Sequence, residues 1–204
     1  TLLTLPIVGR ITDKYNPKYV LFFGIFSCAL ATYMMSKFTL QADFFSILIP
    51  RMVLGLGMGA LFIPLTNLTL SYIPKPLMGD ATAIYNFLRN LGGSFGIAFA
   101  TTMMTRRSQF HHLRLSEHMT PFNEVFRQSV EKIRLFLMGK AGLPPSLAEY
   151  AGMKGIYGEM LRQSTMKGFN DAFFLLSIYM FCVLGLVFFL KYRSNGEGPG
   201  VAVH

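Results

Sequence analysis

The chain has 204 residues, of which 52% are hydrophobic, and its formal net charge is +9. In a soluble protein this charge would suggest nucleic-acid binding, but no RNA- or DNA-binding motif accompanies it, so nucleic acid is excluded as an expected partner. Cys28 and Cys182 lie far apart in two apolar segments. This placement predicts small core side chains and excludes a disulfide or a metal-binding pair.

Four complete apolar segments are long enough to cross a membrane, which takes about 20 residues. They cover residues 19–36, 44–72, 81–105 and 172–190, and the chain opens in the last turns of another apolar segment that ends near Val8. We therefore expect an all-α membrane protein with four complete transmembrane helices and the end of a fifth. We interpret the chain as the C-terminal part of a longer protein.

The distribution of lysine and arginine predicts the orientation of these segments, because basic residues concentrate in short cytoplasmic loops. The joint 9–18 carries three basic residues and the tail 191–204 has two in its first three, whereas the joint 37–43 carries one. The first joint and the tail are therefore predicted to be cytoplasmic, and the glycine-rich tail is predicted to be disordered. The long polar insert 106–171 then lies on the opposite, external side of the membrane, which the resemblance described below implies to be the periplasmic side.

The insert has a helical pattern of its own. Apolar residues recur at helical spacing on both sides of the break at Pro144–Pro145. This pattern predicts two amphipathic helices joined by a turn, and the first of them is predicted to end at Gly139.

Arg89 is the residue that bears most directly on function. It lies well inside the apolar segment 81–105, where a cation costs about 2.5–3.5 kcal/mol on insertion scales. Such a residue persists only where it faces protein or water and has a partner. Asn86 and Asn90 lie on the same helical face, so these three polar side chains are predicted to line or brace a transport path. A structural ion pair is the alternative interpretation.

The second apolar segment has the residues of a closely packed helix that bends. Gly55 and Gly59 are one turn apart, which lets another helix backbone approach. Pro64 weakens the helical hydrogen bonding and frees a carbonyl near Thr66 and Asn67, which we expect beside the same path. Ordinary packing by small residues is the alternative. In the third segment, small residues of the same kind are Gly92, Gly93 and Gly96.

Residues for acid–base or metal chemistry are scarce. No Asp or Glu lies inside any predicted span, so the titrating carboxylates of a proton-driven transporter are expected elsewhere in the longer protein. His111, His112 and His118 lie in a polar loop without cysteine, and no metal site is expected there. A nucleotide-binding loop and a nucleophile–base pair are both missing from the sequence. We therefore expect neither an enzyme nor a bound cofactor.

Four motifs occur along the chain in a recognisable order. They are Pro50–Thr66 with its glycines, the run Asn86–Gly96, the basic and histidine pairs between Arg106 and His112, and Asn170-Asp171 before the last span. Together they resemble the EmrB/QacA-type drug:proton antiporters, fourteen-helix members of the major facilitator superfamily. The glycine-rich tail is similar to the EmrB branch. The resemblance covers essentially the whole chain and implies the C-terminal portion of that helix bundle.

The resemblance also implies a role for the first cytoplasmic joint. Gly9, Asp13 and Lys14 match a loop motif that is implied to gate alternating access, whereas Thr12 and Pro17 depart from the residues usual in that motif.

The implied function is that of a proton-coupled multidrug efflux transporter in the bacterial inner membrane. Its implied substrates are hydrophobic small molecules, its energy source is the proton gradient, and its implied partners are a periplasmic adaptor and an outer-membrane channel. The insert is a candidate adaptor contact, and a position on the membrane surface is the alternative. A dedicated exporter of a metabolite such as a siderophore is one alternative function. A membrane scaffold that does not transport, and recruits partners through the insert, is another.

Overall fold

The structure is a computed structural model that describes residues 8–10, 17–120 and 122–187. Every regular element in that part of the chain is helical, which confirms the expected all-α fold. The helices are α1 (Pro17–Met35), α2 (Phe44–Leu70), α3 (Met78–Ser116), α4 (Glu124–Ala141) and α5 (Pro145–Val187), with a 3₁₀ turn at Lys75–Leu77 before α3. The predicted disordered tail, 191–204, lies outside the described residues.

Three of the described helices, α1, α2 and α5, are long and apolar enough to cross a membrane. The predicted spans 19–36 and 44–72 coincide with α1 and α2, and the span 172–190 begins inside α5. The predicted span 81–105 lies within α3, which does not reach the same apolarity because polar residues such as Arg89 occupy its centre. Its assignment as a membrane span stays a prediction.

The chain divides into two compact units. Within the described residues, unit 1 comprises 8–10, 17–37, 42–99 and 173–187, and unit 2 comprises 38–41, 100–120 and 122–172. Unit 2 includes the whole of the polar insert predicted from the sequence. The long helices α3 and α5 each contribute residues to both units.

In unit 1, α1 and α2 pack with their backbones in contact. A Cβ atom built on Gly24 would lie 2.8 Å from the carbonyl carbon of Ala60, and one built on Gly57 would lie 2.9 Å from the backbone nitrogen of Cys28. A side chain at either position would force the helices apart. The contact between α1 and α2 thus passes through Gly24 and Gly57, and the packing role predicted for Gly55 and Gly59 stays a prediction.

Apolar side chains close the core of unit 1 around this contact. Leu21 and Ile25 of α1 pack with Leu68 of α2 and Val187 of α5. Pro64 is fully buried, and α2 continues as a helix through it. A proline has no backbone N–H, so the hydrogen bond to the carbonyl one turn earlier is missing at Pro64. Packing of the surrounding side chains therefore maintains the helical conformation of α2 at this position.

In unit 2, the residues at both ends of α4 are suited to starting and stopping a helix. The Asn123 side-chain oxygen accepts hydrogen bonds from the backbone N–H of Val125 at 3.0 Å and of Phe126 at 3.4 Å. The helix ends at Ala141, followed by Gly142 with a φ of 62°. The predicted end at Gly139 was therefore wrong by two residues, because the left-handed conformation that stops a helix falls on the later glycine.

Candidate functional site

The candidate site of unit 1 is a face shared by α2 and α3. Phe62 and Thr66 lie one turn apart on α2, and Tyr85 and Arg89 lie one turn apart on α3. Residues four apart lie on the same side of a helix, so each helix presents two side chains to the other. We call these four residues the Arg89 cluster.

A hydrogen bond joins the two helices within the Arg89 cluster. The hydroxyl oxygens of Thr66 and Tyr85 are 3.1 Å apart, and the Thr66 hydroxyl donates to the backbone carbonyl of Phe62 at 2.9 Å. A threonine hydroxyl has a single hydrogen. Because that hydrogen is directed to the Phe62 carbonyl, Tyr85 must be the donor in the bond between the helices. The orientation of the tyrosine hydroxyl is thereby fixed.

Arg89 contributes a cation that has no carboxylate partner in the described chain. The guanidinium carbon lies 4.7 Å from the centroid of the Phe62 ring, and no ion pair to Arg89 is formed within the described ranges. Such a cation–π contact contributes about 0.5–1 kcal/mol at exposed sites. The side chain is exposed in this chain, so its hydrogen-bond donors remain open to a further group.

The comparisons with known proteins show the family to which these helices belong. The family model described as Major Facilitator Superfamily matches residues 1–110, which is more than half of the chain. The chain belongs to the Major Facilitator Superfamily. It is therefore a multi-pass membrane protein of a transporter family, as the resemblance in its motifs implied.

Several relatives extend the similarity along nearly the whole chain. The multidrug export protein EmrB of Haemophilus influenzae is 28% identical over 191 residues, which are 93% of this chain and 36% of that protein. EmrB of Escherichia coli K12 is 28% identical over 98% of this chain and 37% of its own length. The fatty acid resistance protein FarB of Neisseria gonorrhoeae is 26% identical over 95% of this chain and 37% of its own length.

This superfamily member thus spans a little more than a third of the length of the curated relatives that it matches. No solved structure matches the chain.

The structure brings together only some of the residues predicted to form the transport path. Thr66 and Arg89 belong to one cluster, whereas Asn67, Asn86 and Asn90 are exposed and stay outside its hydrogen bonds. Sequence reasoning missed Phe62 and Tyr85. A signal for both was available, because each lies one helical turn before a residue that had been singled out.

The predicted packing and gating residues have mixed outcomes. Gly59 and Pro64 are buried and Gly55 is half-buried. Cβ atoms built on Gly92, Gly93 and Gly96 meet nothing within 4 Å, so their packing role stays a prediction. Gly9 lies in the short helical stretch 8–10, and a Cβ there also meets nothing. Asp13 and Lys14 lie outside the described residues.

Unit 1 also contains an apolar groove. It has a volume of about 300 Å³ and is bordered by side chains of α1, α2 and α5, which include Leu21, Leu61, Tyr179 and Val183. Among the described residues, its lining includes no charged side chain that would orient a ligand. The Arg89 cluster combines a cation, two hydroxyls and two aromatic rings, so it has the chemistry of a recognition site that the groove lacks.

Proposed function

We propose that this chain forms part of a proton-coupled exporter of amphipathic small molecules in the bacterial inner membrane, working by alternating access. The proposal rests on membership of a transporter superfamily and on similarity over 93–98% of the chain to proteins named multidrug export proteins. Transport needs no bound cofactor and no enzymatic step, because the proton gradient supplies the energy. A dedicated metabolite exporter and a membrane scaffold are the outcomes that the test below would favour if this proposal failed.

Arg89 is the observation that carries the proposal. A guanidinium group in an apolar segment is costly unless it is paired, and it has no carboxylate within the described residues. Its planar fork of five N–H donors suits a carboxylate, a phenolate or a sulfonate. The rings of Phe62 and Tyr85 offer apolar contact beside that charge. An amphipathic anion therefore complements the Arg89 cluster, and the name of the relative FarB, a fatty acid resistance protein, is in line with such a substrate.

The remaining predicted residues take supporting roles in this proposal. Asn67, Asn86 and Asn90 would line the path beside the Arg89 cluster, where amides bind many kinds of polar groups. Gly9, with Asp13 and Lys14 of the cytoplasmic joint, would gate the opposite conformations. The insert of unit 2 would face the periplasm and contact an adaptor protein, which leads to an outer-membrane channel.

The test compares two substrates that differ only in charge. The complete protein is expressed as the wild type, as Arg89→Gln and as Arg89→Lys, and cells or vesicles export either a medium-chain fatty acid or its methyl ester. Arg51→Gln is the matched control, because Arg51 is an exposed arginine of α2 outside the Arg89 cluster. A charge-assisted hydrogen bond contributes about 1.5–3 kcal/mol. The apparent affinity for the acid should therefore fall by about tenfold to a hundredfold in Arg89→Gln.

We expect Arg89→Gln to lose export of the acid and to keep export of the ester. Arg89→Lys should retain part of the acid export, and Arg51→Gln should export both compounds as the wild type does. Equal export of acid and ester by Arg89→Gln, at normal abundance, would contradict the role of Arg89. A wild type that exports neither compound nor any drug of a broad panel would favour a dedicated metabolite exporter first and a scaffold second.

A further inference from the structure

Unit 2 contains a point where α3 and α5 touch through their backbones. A Cβ atom built on Gly168 of α5 would lie 2.6 Å from the backbone nitrogen of Ser108 and 2.9 Å from the carbonyl oxygen of Met104, both on α3. Only glycine fits at this contact. Side chains one turn to either side of it are therefore held opposite each other across the two helices.

Asp171 lies just beyond this contact and receives three N–H groups on a single oxygen. Its Oδ2 atom accepts from Nε of Arg107 at 2.7 Å and from Nε2 of His111 at 2.7 Å, and Nη2 of Arg107 lies 2.7 Å away. A carboxylate can only accept, so Nε2 of His111 must carry a hydrogen. The other ring nitrogen, Nδ1, is then the position at which this imidazole gains or loses a proton.

The position of Asp171 is fixed by its two neighbours on α5. The ring of Phe169 stacks on Phe38, with centroids 6.4 Å apart and an angle of 9° between the planes. The side-chain amide of Asn170 donates to the carbonyl oxygen of Phe38 at 2.8 Å. Three consecutive residues of α5 thus bind to the segment Phe38–Gln41 and to α3, and the carboxylate has little freedom to leave His111.

The charged groups that face His111 can be named from each element around it. On α3 the facing group is Arg107. Arg114 of the same helix lies against the ring of Phe110, with its guanidinium carbon 5.7 Å from the centroid, and that ring contacts the imidazole of His111. On α5 the facing group is Asp171. The segment Phe38–Gln41 adds none, because its sequence is Phe-Thr-Leu-Gln.

Water can reach this group of residues. The side chains of His111 and Asp171 are 19% and 32% exposed, and that of Arg107 is 41% exposed. A proton can therefore pass between the solvent and the imidazole without a conformational change that opens a closed core.

We propose that His111 and Asp171 form a proton-exchange site between α3 and α5, in which Arg107 holds the carboxylate in place. The inference rests on the proposed function, because it assigns to this chain a proton-binding site for the coupled exchange. One proton adds to Nδ1 of His111, and the hydrogen bond that the neutral ring donates from Nε2 to the Asp171 carboxylate becomes an ion pair. The net charge of the three side chains then rises from zero to +1. Release of the proton reverses both changes, and no other bond is broken.

Protonation and the contact between the helices are consequently linked. The charged imidazole binds the Asp171 carboxylate more strongly than the neutral one, because protonation adds the Coulomb attraction between two opposite full charges to the hydrogen bond. Protonation therefore strengthens the contact between α3 and α5 at this point, and loss of the proton weakens it. In the orientation predicted from the basic residues, the site lies on the periplasmic side, from which a proton-driven exporter takes its protons. The sequence alone placed the titrating groups elsewhere in the longer protein.

The functional test measures the pH dependence of exchange. The complete protein is placed in vesicles with the same pH on both faces, and substrate-driven proton movement is followed between about pH 5 and pH 8, the range in which histidine titrates. His111→Gln and Asp171→Asn should each lose the pH dependence that the wild type shows. The matched control is His112→Gln, which replaces the next residue. The ring of His112 contacts Tyr157 and forms no carboxylate pair within the described residues. This variant should keep the wild-type profile.

A second measurement tests the site independently of transport. Nuclear magnetic resonance of the purified complete protein, labelled with nitrogen-15 histidine, reports the protonation of each ring nitrogen, and His111→Gln assigns the signal. We expect any added proton to appear at Nδ1 of His111 while Nε2 stays hydrogen-bonded, and Asp171→Asn to abolish that bond.

Together, the two measurements distinguish a failure of the proposed transport function from a failure of the proton-exchange site. A wild type without substrate-driven proton movement would overturn the proposed function, while the resonance experiment still decides whether His111 exchanges a proton beside Asp171. An unchanged pH profile in a normally abundant His111→Gln protein would overturn the proton-exchange site. A His111 resonance that does not titrate would overturn it as well, whether or not the protein transports.

Discussion

Replacing Gly24 by alanine tests the closest helix contact of unit 1. The added Cβ would lie 2.8 Å from both the carbonyl carbon of Ala60 and the backbone nitrogen of Leu61, and 2.9 Å from the Ala60 oxygen. Ordinary van der Waals contact begins near 3.4 Å. All three neighbouring atoms are backbone, so no flexible side chain can turn away. The two helices would have to separate by roughly 0.6 Å, and overpacking of this kind costs about 1–3 kcal/mol.

Part of that cost is offset because alanine favours a helix by about 1 kcal/mol over glycine. Gly185→Ala on α5 is the matched control, since its Cβ meets nothing within 4 Å and only the helix-forming gain remains. The free energy of unfolding of the complete protein is measured by titrating detergent-solubilised samples with a denaturing detergent and following helical circular dichroism. Gly24→Ala should be less stable than Gly185→Ala by about 1–3 kcal/mol. Equal stability of the two variants would refute the backbone contact between α1 and α2.

Three further predictions concern single contacts. Thr66→Val and Tyr85→Phe should each destabilise the protein by about 0.5–1.5 kcal/mol, and a double-mutant cycle of unfolding free energies should show that the two effects are coupled; additive effects would contradict the hydrogen bond between α2 and α3. Gly168→Ala should lower the thermal midpoint of unfolding, whereas Gly158→Ala, which faces open space, should raise it or leave it unchanged; the reverse order would contradict the α3–α5 contact. Asn123→Ala should remove the cap of α4 and cost about 1 kcal/mol, and hydrogen exchange should show the loss as faster exchange in the first turn of that helix.

Local patterns in the sequence predicted the helices well. The bounds of α1 and α2 follow from long, predominantly apolar runs, and the break between α4 and α5 follows from Gly142 and Pro144-Pro145. These features depend on neighbouring residues, so one stretch of sequence is enough to find them. The end of α4 was misplaced because Gly139 and Gly142 offer the same residue type, and only the backbone shows which of them adopts the left-handed conformation.

Contacts between distant residues were harder to predict. The glycine pattern of α2 indicated a close approach, but which glycine faces α1 depends on the rotation of both helices, and its partner Gly24 carries no spacing signal of its own. Asp171 and His111 lie 60 residues apart and were judged separately, one as the end of a span and the other as part of a polar loop. Their pairing depends on the α3–α5 crossing at Gly168, which no periodicity in the sequence records.

The same reasoning explains the partial success at the Arg89 cluster. Arg89 was found because a cation inside an apolar run is conspicuous in any sequence. Tyr85 and Phe62 are ordinary residues for such runs, and their importance appears only when α2 and α3 are placed side by side. The polar residues Asn86 and Asn90 share a broad helical face with Arg89 but do not join its contacts within the described chain.

The measurement that tests the central claim most directly uses inverted membrane vesicles that contain the complete protein. A proton gradient is formed first and followed with a pH-sensitive dye, and amphipathic acids and drugs are then added one at a time to the wild type and to Arg89→Gln. The account predicts a collapse of the gradient that requires both the compound and the wild-type protein, and that is lost for the acids in Arg89→Gln. A gradient that no compound disturbs, although the protein is inserted at normal abundance, would contradict proton-coupled export.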